Sequence, residues 1–202
     1  MKIKDLATLS GSERIRLALG LDKEQANKIK LIAKSMTEVN PHIKNLRVGK
    51  SKPGVSFFDF KNNQVGIGHK SPDVLAHELG HAISLANSSK FYRSLLKSTK
   101  KLTSLSNAAS FPLAGFAALS PTMAKDKKMR LLNYATIAST AVTMPNLFEE
   151  LKATALAAKH SPNKITTGIS LLPGLISHLS HDLTAPATYL LTKQLLGAST
   201  ND

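Results

Sequence analysis

The segment from Leu46 to Asp73 constrains the fold of this chain most, because short β-rich runs lead there directly into a helix with a strong start signal. The runs VSFFDF (Val55–Phe60) and QVGIG (Gln64–Gly68) lie on either side of an Asn-containing turn, which predicts a β-hairpin. A shorter strand-like run around Leu46 and Val48 precedes them. The tripeptide Ser71–Asp73 then offers a capping hydroxyl, a first-turn proline and an acidic first-turn residue, so a helix is expected to begin there.

The remainder of the chain is rich in Ala, Leu, Ser and Lys, which favours helix. We therefore expect an α+β protein that is mostly helical, with a small antiparallel hairpin or sheet. The helices predicted after this sheet are a basic one with five Lys and Arg residues between 90 and 101, two apolar stretches at Ala108–Leu119 and Leu131–Met144, and a final pair at Ile165–Leu179 and Ala185–Leu196, interrupted at Pro173-Gly174.

A length of 202 residues suits one domain, and a single domain over residues 1–202 is predicted. Its expected parts are N-terminal helices at 1–44, the sheet and the following helix at 45–89, a basic helix and an apolar helical hairpin at 90–145, and further helices at 146–202.

Composition limits the chemistry and the partners. The chain has no Cys, so disulfides and thiolate metal sites are excluded. Its 27 Lys and Arg against 13 Asp and Glu favour contact with an anionic surface, such as a membrane, a cell wall or nucleic acid, although a solvated positive surface is the alternative. The N-terminus has no apolar signal region, so we expect a cytoplasmic or membrane-associated protein that works alone or in a larger assembly.

The helix that begins near Pro72 contains the segment HELGH, from His77 to His81. Residues four apart lie on one helix face, so the two imidazoles can converge on one metal ion. Imidazole nitrogen suits zinc, and a catalytic zinc site uses three protein ligands and a water. Glu78 adjoins the first histidine and can reach that water. Gly80 lies within the predicted helix, where Gly costs about 1 kcal/mol against Ala, which indicates close backbone packing at this point.

The sequence NQVGIGHKSPDVLAHELGHA (Asn63–Ala82) resembles a zincin metallopeptidase, in which an edge strand leads to the HELGH helix. This resemblance implies a zincin-like core with Zn²⁺ as cofactor. It also implies that the strand before the helix binds an extended peptide or protein substrate by strand addition. In this chain the substrate-binding residues would be Val65, Gly66, Ile67 and Gly68.

A third metal ligand is expected in the helix-favouring segment Pro145–Lys159, where Pro145 suits a first turn. Glu150 shares its helix face with small and apolar residues, whereas Glu149 shares a more solvated face and can pair with Lys152. Glu150 is therefore the predicted ligand, and Glu149 is the alternative. The segment resembles the gluzincin pattern in which Ala-Asp follows the ligand Glu after three and four residues. Here Ala153 and Thr154 follow, so a hydroxyl replaces the carboxylate that would support a ligand.

The resemblance extends over roughly residues 54–160 to membrane-associated gluzincins of the CAAX prenyl protease and HtpX type, in which apolar helices separate the His pair from the ligand Glu. The two apolar stretches of this chain lie in the same interval. They contain about 12 to 16 residues, fewer than the roughly 20 expected of a spanning helix. Buried helices and a membrane-associated hairpin are both compatible with them.

The function expected from these residues is zinc-dependent hydrolysis of peptide bonds, with ligands His77, His81 and Glu150 and with Glu78 as general base. Candidate donors to the oxyanion are His178, His181, Tyr134 and Tyr189. The alternative is a basic structural or interaction protein with an inactive zincin-like site. A third hypothesis is hydrolysis of peptide crosslinks in a cell wall.

Overall fold

The computed structural model describes residues 1–59 and 61–198, and within them the chain is a mostly helical α+β protein with one three-stranded mixed sheet. The elements are α1 (Ile3–Leu6), α2 (Leu9–Leu19), α3 (Lys23–Val39), a 3₁₀ helix (Pro41–Asn45), β1 (Arg47–Lys50), β2 (Phe57–Asp59), β3 (Gln64–Ile67), α4 (Pro72–Ala86), α5 (Lys90–Leu119), α6 (Lys125–His160), α7 (Lys164–Asp182) and α8 (Thr184–Ala198). The predicted α+β class with mostly helical content is confirmed. Phe60, the end of one predicted β-rich run, lies outside the described residues.

The chain forms two compact units, where the sequence analysis expects one domain over residues 1–202. The first unit comprises residues 1–89 and 149–175, and the second comprises residues 90–148 and 176–202, of which 176–198 are described. Segments of the two units thus alternate along the chain, and helices α6 and α7 each contribute residues to both units.

The sheet of the first unit has the strand order β1-β3-β2. Strand β2 pairs with β3 in the predicted antiparallel hairpin, in which Phe58 lies opposite Val65. The turn between them includes Asn63, whose φ of 50° is in the left-handed region that Asn tolerates. On its other side β3 pairs in parallel with β1, and Val48 lies opposite Val65. The sheet is therefore mixed, whereas the sequence analysis expects antiparallel pairing.

The central position of β3 contradicts the predicted open edge at Val65–Gly68. Both sides of this strand are hydrogen-bonded to other strands, and Val65, Gly66 and Ile67 are buried. Gly68 follows the strand, and its backbone N–H and carbonyl bind Ser56 and Gly54. The prediction is wrong because strand order depends on the long-range pairing with β1, which the local hydrophobic pattern does not report.

The core of the first unit lies between this sheet and helices α3 and α4. Side chains that are almost completely buried come from α3 (Ile29, Ile32, Met36), from β3 (Val65, Ile67) and from α4 (Leu75, Leu79). Burial of one such aliphatic side chain contributes about 1.5–3 kcal/mol. This packing gives the HELGH segment of α4 a rigid support.

Helix α4 begins at Pro72, as predicted, but Ser71 makes no capping hydrogen bond with its side chain. The start of the helix is held instead by Asp73, whose carboxylate binds Lys28 Nζ at 2.7 Å and accepts hydrogen bonds from Thr167 and Ser170 at 2.8 and 2.7 Å. These contacts connect α4 to α3 and α7.

Three helices of the structure each contain an internal proline. The sequence predicts one of these prolines inside an apolar stretch, one at a helix start and one at an interruption. Pro112, Pro145 and Pro173 lie inside α5, α6 and α7. The predictions of a helix start at Pro145 and of an interruption at Pro173-Gly174 are therefore wrong. A proline removes one backbone donor and disturbs one turn, and long helix-favouring flanks on both sides can outweigh that cost.

The second unit consists of helices α5 and α8, residues 125–148 of α6 and the end of α7. A small apolar cluster of Ala114, Ala117, Leu132, Ala185 and Tyr189 lies inside it. Asn107 also connects α5 to the α7–α8 junction, because its side chain donates to the His181 carbonyl and accepts from Ala185 N. Among the described residues, no helix combines the length and the apolar composition needed to cross a membrane.

Candidate metal centre

Helix α4 places the imidazoles of His77 and His81 side by side. Their ring centroids are 4.7 Å apart, and the ring planes are inclined by 82°. The exposed fractions of the His77 and His81 side chains are only 13 % and 12 %. The i, i+4 spacing therefore brings the two rings together, as the sequence analysis predicts.

Helix α6 brings Glu150 to the same position. Glu150 Oε2 lies 3.2 Å from His77 Nε2 and 3.4 Å from His81 Nε2. One ligand atom from each of the three residues lies within 4.8 Å of the other two, so the group can hold a metal ion. The predicted His77, His81 and Glu150 are thus together in the first unit.

The remaining ring nitrogens have partners of their own. His77 Nδ1 lies 3.2 Å from Thr154 Oγ1, and His81 Nδ1 lies 3.4 Å from Glu149 Oε1. The ionised Glu149 carboxylate can only accept a hydrogen bond, so its contact favours a proton on His81 Nδ1, which directs Nε2 toward a metal. The Thr154 hydroxyl can donate or accept, so it can pair with either tautomer of His77. Thr154 therefore supports His77 at the position where the gluzincin pattern has Asp.

Glu149 also belongs to this group of contacts, which its sequence neighbours do not indicate. Glu149 is only 2 % exposed, and its Oε2 accepts a hydrogen bond of 2.8 Å from Ser84 Oγ of α4. The expectation that Glu149 lies on a solvated face beside Lys152 is therefore wrong. The residues that share its face of α6 predict that Glu149 is exposed to solvent. In the tertiary structure, however, Glu149 is buried against polar groups of α4.

The close approach of α4 and α6 depends on Gly80. A Cβ atom at this position would lie 2.3 Å from the carbonyl oxygen of Ala153, well inside van der Waals contact. The backbones therefore come closer here than any side chain would allow, which confirms the close packing predicted from a glycine inside the helix. Ala153 lies about one helical turn after Glu150, so we expect this contact to influence the distance from Glu150 to the two histidines.

The buried carboxylates dominate the electrostatics of the site. Burial alone would lower the pKa of His81, but hydrogen bonds with Glu149 and Glu150 and the charges of Glu150 and Glu78 outweigh it and raise that pKa to about 9. His81 is thus protonated at neutral pH in the metal-free protein. A metal ion that binds there must displace this proton, so metal binding is coupled to proton release.

Glu78 is 7 % exposed and adjoins His77 on α4. Its charge contributes to the raised pKa of His81. The candidate oxyanion donors Tyr134, His178 and His181 all belong to the second unit, as does Tyr189. The first unit therefore contains Glu78 and the three residues that can hold a metal ion. The role of the four candidate donors stays a prediction.

Comparison of the chain with family models, with curated protein sequences and with solved structures gives no match in any of the three. The class assigned here therefore depends on the fold and the site alone. They define an α+β protein with a group of two histidines and one glutamate that can hold a metal ion.

Proposed function

We propose that this protein is a zinc-dependent metallopeptidase with a zincin-like core of the gluzincin type. The observation that carries the proposal is the convergence of His77, His81 and Glu150 from two helices that are distant in sequence, with Glu78 buried beside them. The resemblance of the HELGH segment and of the Glu150 helix to gluzincins supports the same conclusion.

The distances from the Glu150 carboxylate to the two imidazoles match those expected around a zinc ion. Two donors about 2.0–2.1 Å from one zinc ion, at a tetrahedral angle, are about 3.3–3.4 Å apart. The distances from Glu150 Oε2 to the two Nε2 atoms are 3.2 and 3.4 Å. Two imidazoles and one carboxylate are also the ligand set of several catalytic zinc sites, and they leave one position for water.

Zinc bound by these residues would lower the pKa of its water toward 7 and polarise the carbonyl of the scissile peptide. The Glu78 carboxylate would serve as the general base, holding the proton taken from the water nucleophile and delivering it to the nitrogen of the leaving amine. Thr154 and Glu149 would hold the imidazoles of His77 and His81 in the orientation that a metal requires.

The test combines metal analysis with the Glu78→Gln variant. We expect about one zinc per chain in both proteins, because Glu78 is not among the ligands. Hydrolysis of a quenched-fluorescent peptide library should fall at least 100-fold in the variant, the usual contribution of a general base. Glu24→Gln, an exposed glutamate of α3, is the matched control and should leave both readouts unchanged.

Two outcomes would contradict the proposal. Wild-type protein purified without chelators that contains no zinc, and gains none on addition, would exclude the metal site. Stoichiometric zinc with no hydrolysis of the library, of proteins or of purified cell-wall sacculi would favour the alternative of a basic interaction protein with an inactive site. Cleavage of sacculi alone would instead identify wall crosslinks as the substrate.

A further inference from the structure

The second unit has polar side chains buried between its helices. Thr99 Oγ1 of α5 donates to Asn146 Oδ1 of α6 at 3.2 Å, and Asn146 Nδ2 donates to Thr103 Oγ1 at 3.1 Å. All three residues are at most 5 % exposed, and the same helices bury the hydroxyls of Ser110, Ser139 and Thr143. Helix contacts made by small and hydroxyl side chains are typical of proteins in apolar surroundings, where burial of large apolar side chains gives no advantage.

Large apolar side chains lie on the outside of the same unit. On α5 they recur at spacings of 3, 4, 7 and 11 residues, which keep them near one helix face. We call this set the α5 stripe: Phe91, Leu95, Leu102, Leu105, Phe116 and Leu119. Phe91 is 77 % exposed and Leu119 is 83 % exposed. A corresponding α6 stripe consists of Tyr134, Ile137, Met144 and Phe148. Exposed apolar surface of this extent marks an interaction site.

The second unit has a strongly positive net charge, and its basic residues flank two long stretches of sequence without any charged residue. Its described residues include ten Lys and Arg but only two acidic side chains, Asp126 and Asp182. No charged residue occurs from 102 to 124 or from 131 to 148. The basic residues are concentrated before and between these stretches, in the segments 90–101 and 125–130.

These three observations together favour lipid over other partners. A nucleic acid would use the positive charges but would leave the stripes exposed to water. A second copy of the chain would cover one stripe but would bring two strongly positive units together. An anionic bilayer accommodates both features, because apolar side chains enter the interface while Lys and Arg contact the headgroups.

We propose that the second unit binds the surface of anionic lipid bilayers through the α5 and α6 stripes and the adjoining basic segments. The apolar groove between α5 and α8, lined by Gly115, Ala118, Leu191 and Leu195 among others, offers room for part of an acyl chain. This proposal is independent of the metal site, because every residue that it uses belongs to the second unit.

The test is flotation of the full chain with vesicles of phosphatidylcholine alone and with vesicles of phosphatidylcholine and phosphatidylglycerol in equal parts. We expect binding to the anionic vesicles and a large decrease at high salt, which screens the headgroup attraction. Neutralising Lys125, Lys127 and Arg130 with Gln should reduce partitioning roughly fivefold for each charge that contacts the surface.

The double variant Phe116→Ser/Leu119→Ser tests the apolar contribution and should reduce partitioning roughly 10- to 100-fold. Its matched control is Leu17→Ser, which alters a side chain of the first unit that is 69 % exposed and should have no effect. Circular dichroism checks that each variant keeps its helical content. Absence of flotation with anionic vesicles would overturn the proposal, and so would an equal loss of binding in the Leu17→Ser control. Cross-linking that shows self-association of the chain through the two stripes in the absence of lipid would also overturn it.

Discussion

Gly80→Ala is the substitution that tests most directly how the metal site is built. An added Cβ would lie 2.3 Å from the Ala153 carbonyl oxygen, whereas ordinary contact begins near 3.4 Å. The two helix backbones must therefore separate locally by roughly 1 Å, because a backbone carbonyl cannot rotate away as a side chain can. Metal-ligand distances tolerate only about 0.2 Å, so Glu150 would leave its position beside His77 and His81.

Two opposing effects determine the stability of this variant. Replacing a helical Gly with Ala favours the helix by about 1 kcal/mol. Overpacking of a close contact costs about 1–3 kcal/mol. The net loss of unfolding free energy in the metal-free protein is then between about zero and 2 kcal/mol, so metal affinity is the sharper readout. We expect at least a tenfold weaker zinc affinity, by analogy with the loss of a supporting contact.

The assay is competition for zinc against a chromophoric chelator, combined with urea unfolding in the presence of excess chelator. Gly115→Ala is the matched control, because its added Cβ meets no atom within 4 Å and it also lies inside a helix. This control should gain up to about 1 kcal/mol in stability and keep the zinc affinity of the wild type. If Gly80→Ala behaves like Gly115→Ala in both assays, the close approach of α4 and α6 does not position Glu150.

Two further predictions concern the buried carboxylates. Glu149→Gln keeps an acceptor for Ser84 but removes the charge beside His81, so zinc affinity should fall roughly 10- to 100-fold in the same competition assay; an unchanged affinity would show that Glu149 does not support the ligand. Burial raises the pKa of Asp73, but Lys28 and hydrogen bonds from two hydroxyls outweigh it and lower that pKa below its usual value of 3.8. The contribution of Asp73 to stability is therefore complete above about pH 4 and is lost as the pH falls through its folded-state pKa. Asp73→Asn should lower the unfolding free energy by about 2–4 kcal/mol at pH 7 and flatten its decrease between about pH 4 and 2, as urea unfolding across that range would show.

Local sequence signals predict much of this protein because the relevant contacts are local. The i, i+4 spacing is sufficient to bring His77 and His81 together, and the turn residues are sufficient to form the β2–β3 hairpin. Gly80 inside a helix predicts the close contact with Ala153, because an unfavourable helix residue needs a compensating contact.

The predictions that fail are those that require knowledge of distant partners. The central position of β3 depends on its parallel pairing with β1, and such pairing leaves no pattern in the sequence of β3 itself. The burial of Glu149 depends on Ser84 and His81 of another helix, whereas the sequence analysis judges its face from neighbours such as Lys152. Pro145 suits the first turn of a helix when only its own residue type is considered. Helix α6, however, extends from Lys125 to His160 and continues on both sides of Pro145.

The order of the ligands along the chain has a consequence for biosynthesis. His77 and Glu150 are 73 residues apart, and the whole first segment of the second unit is translated between them. A ribosome that adds about 5–20 residues per second needs roughly 4–15 s for that interval. During this time the nascent chain has two imidazoles and no third ligand. The proposed metal centre can therefore be completed only after Glu150 has been translated, when the first segment of each unit has already been made.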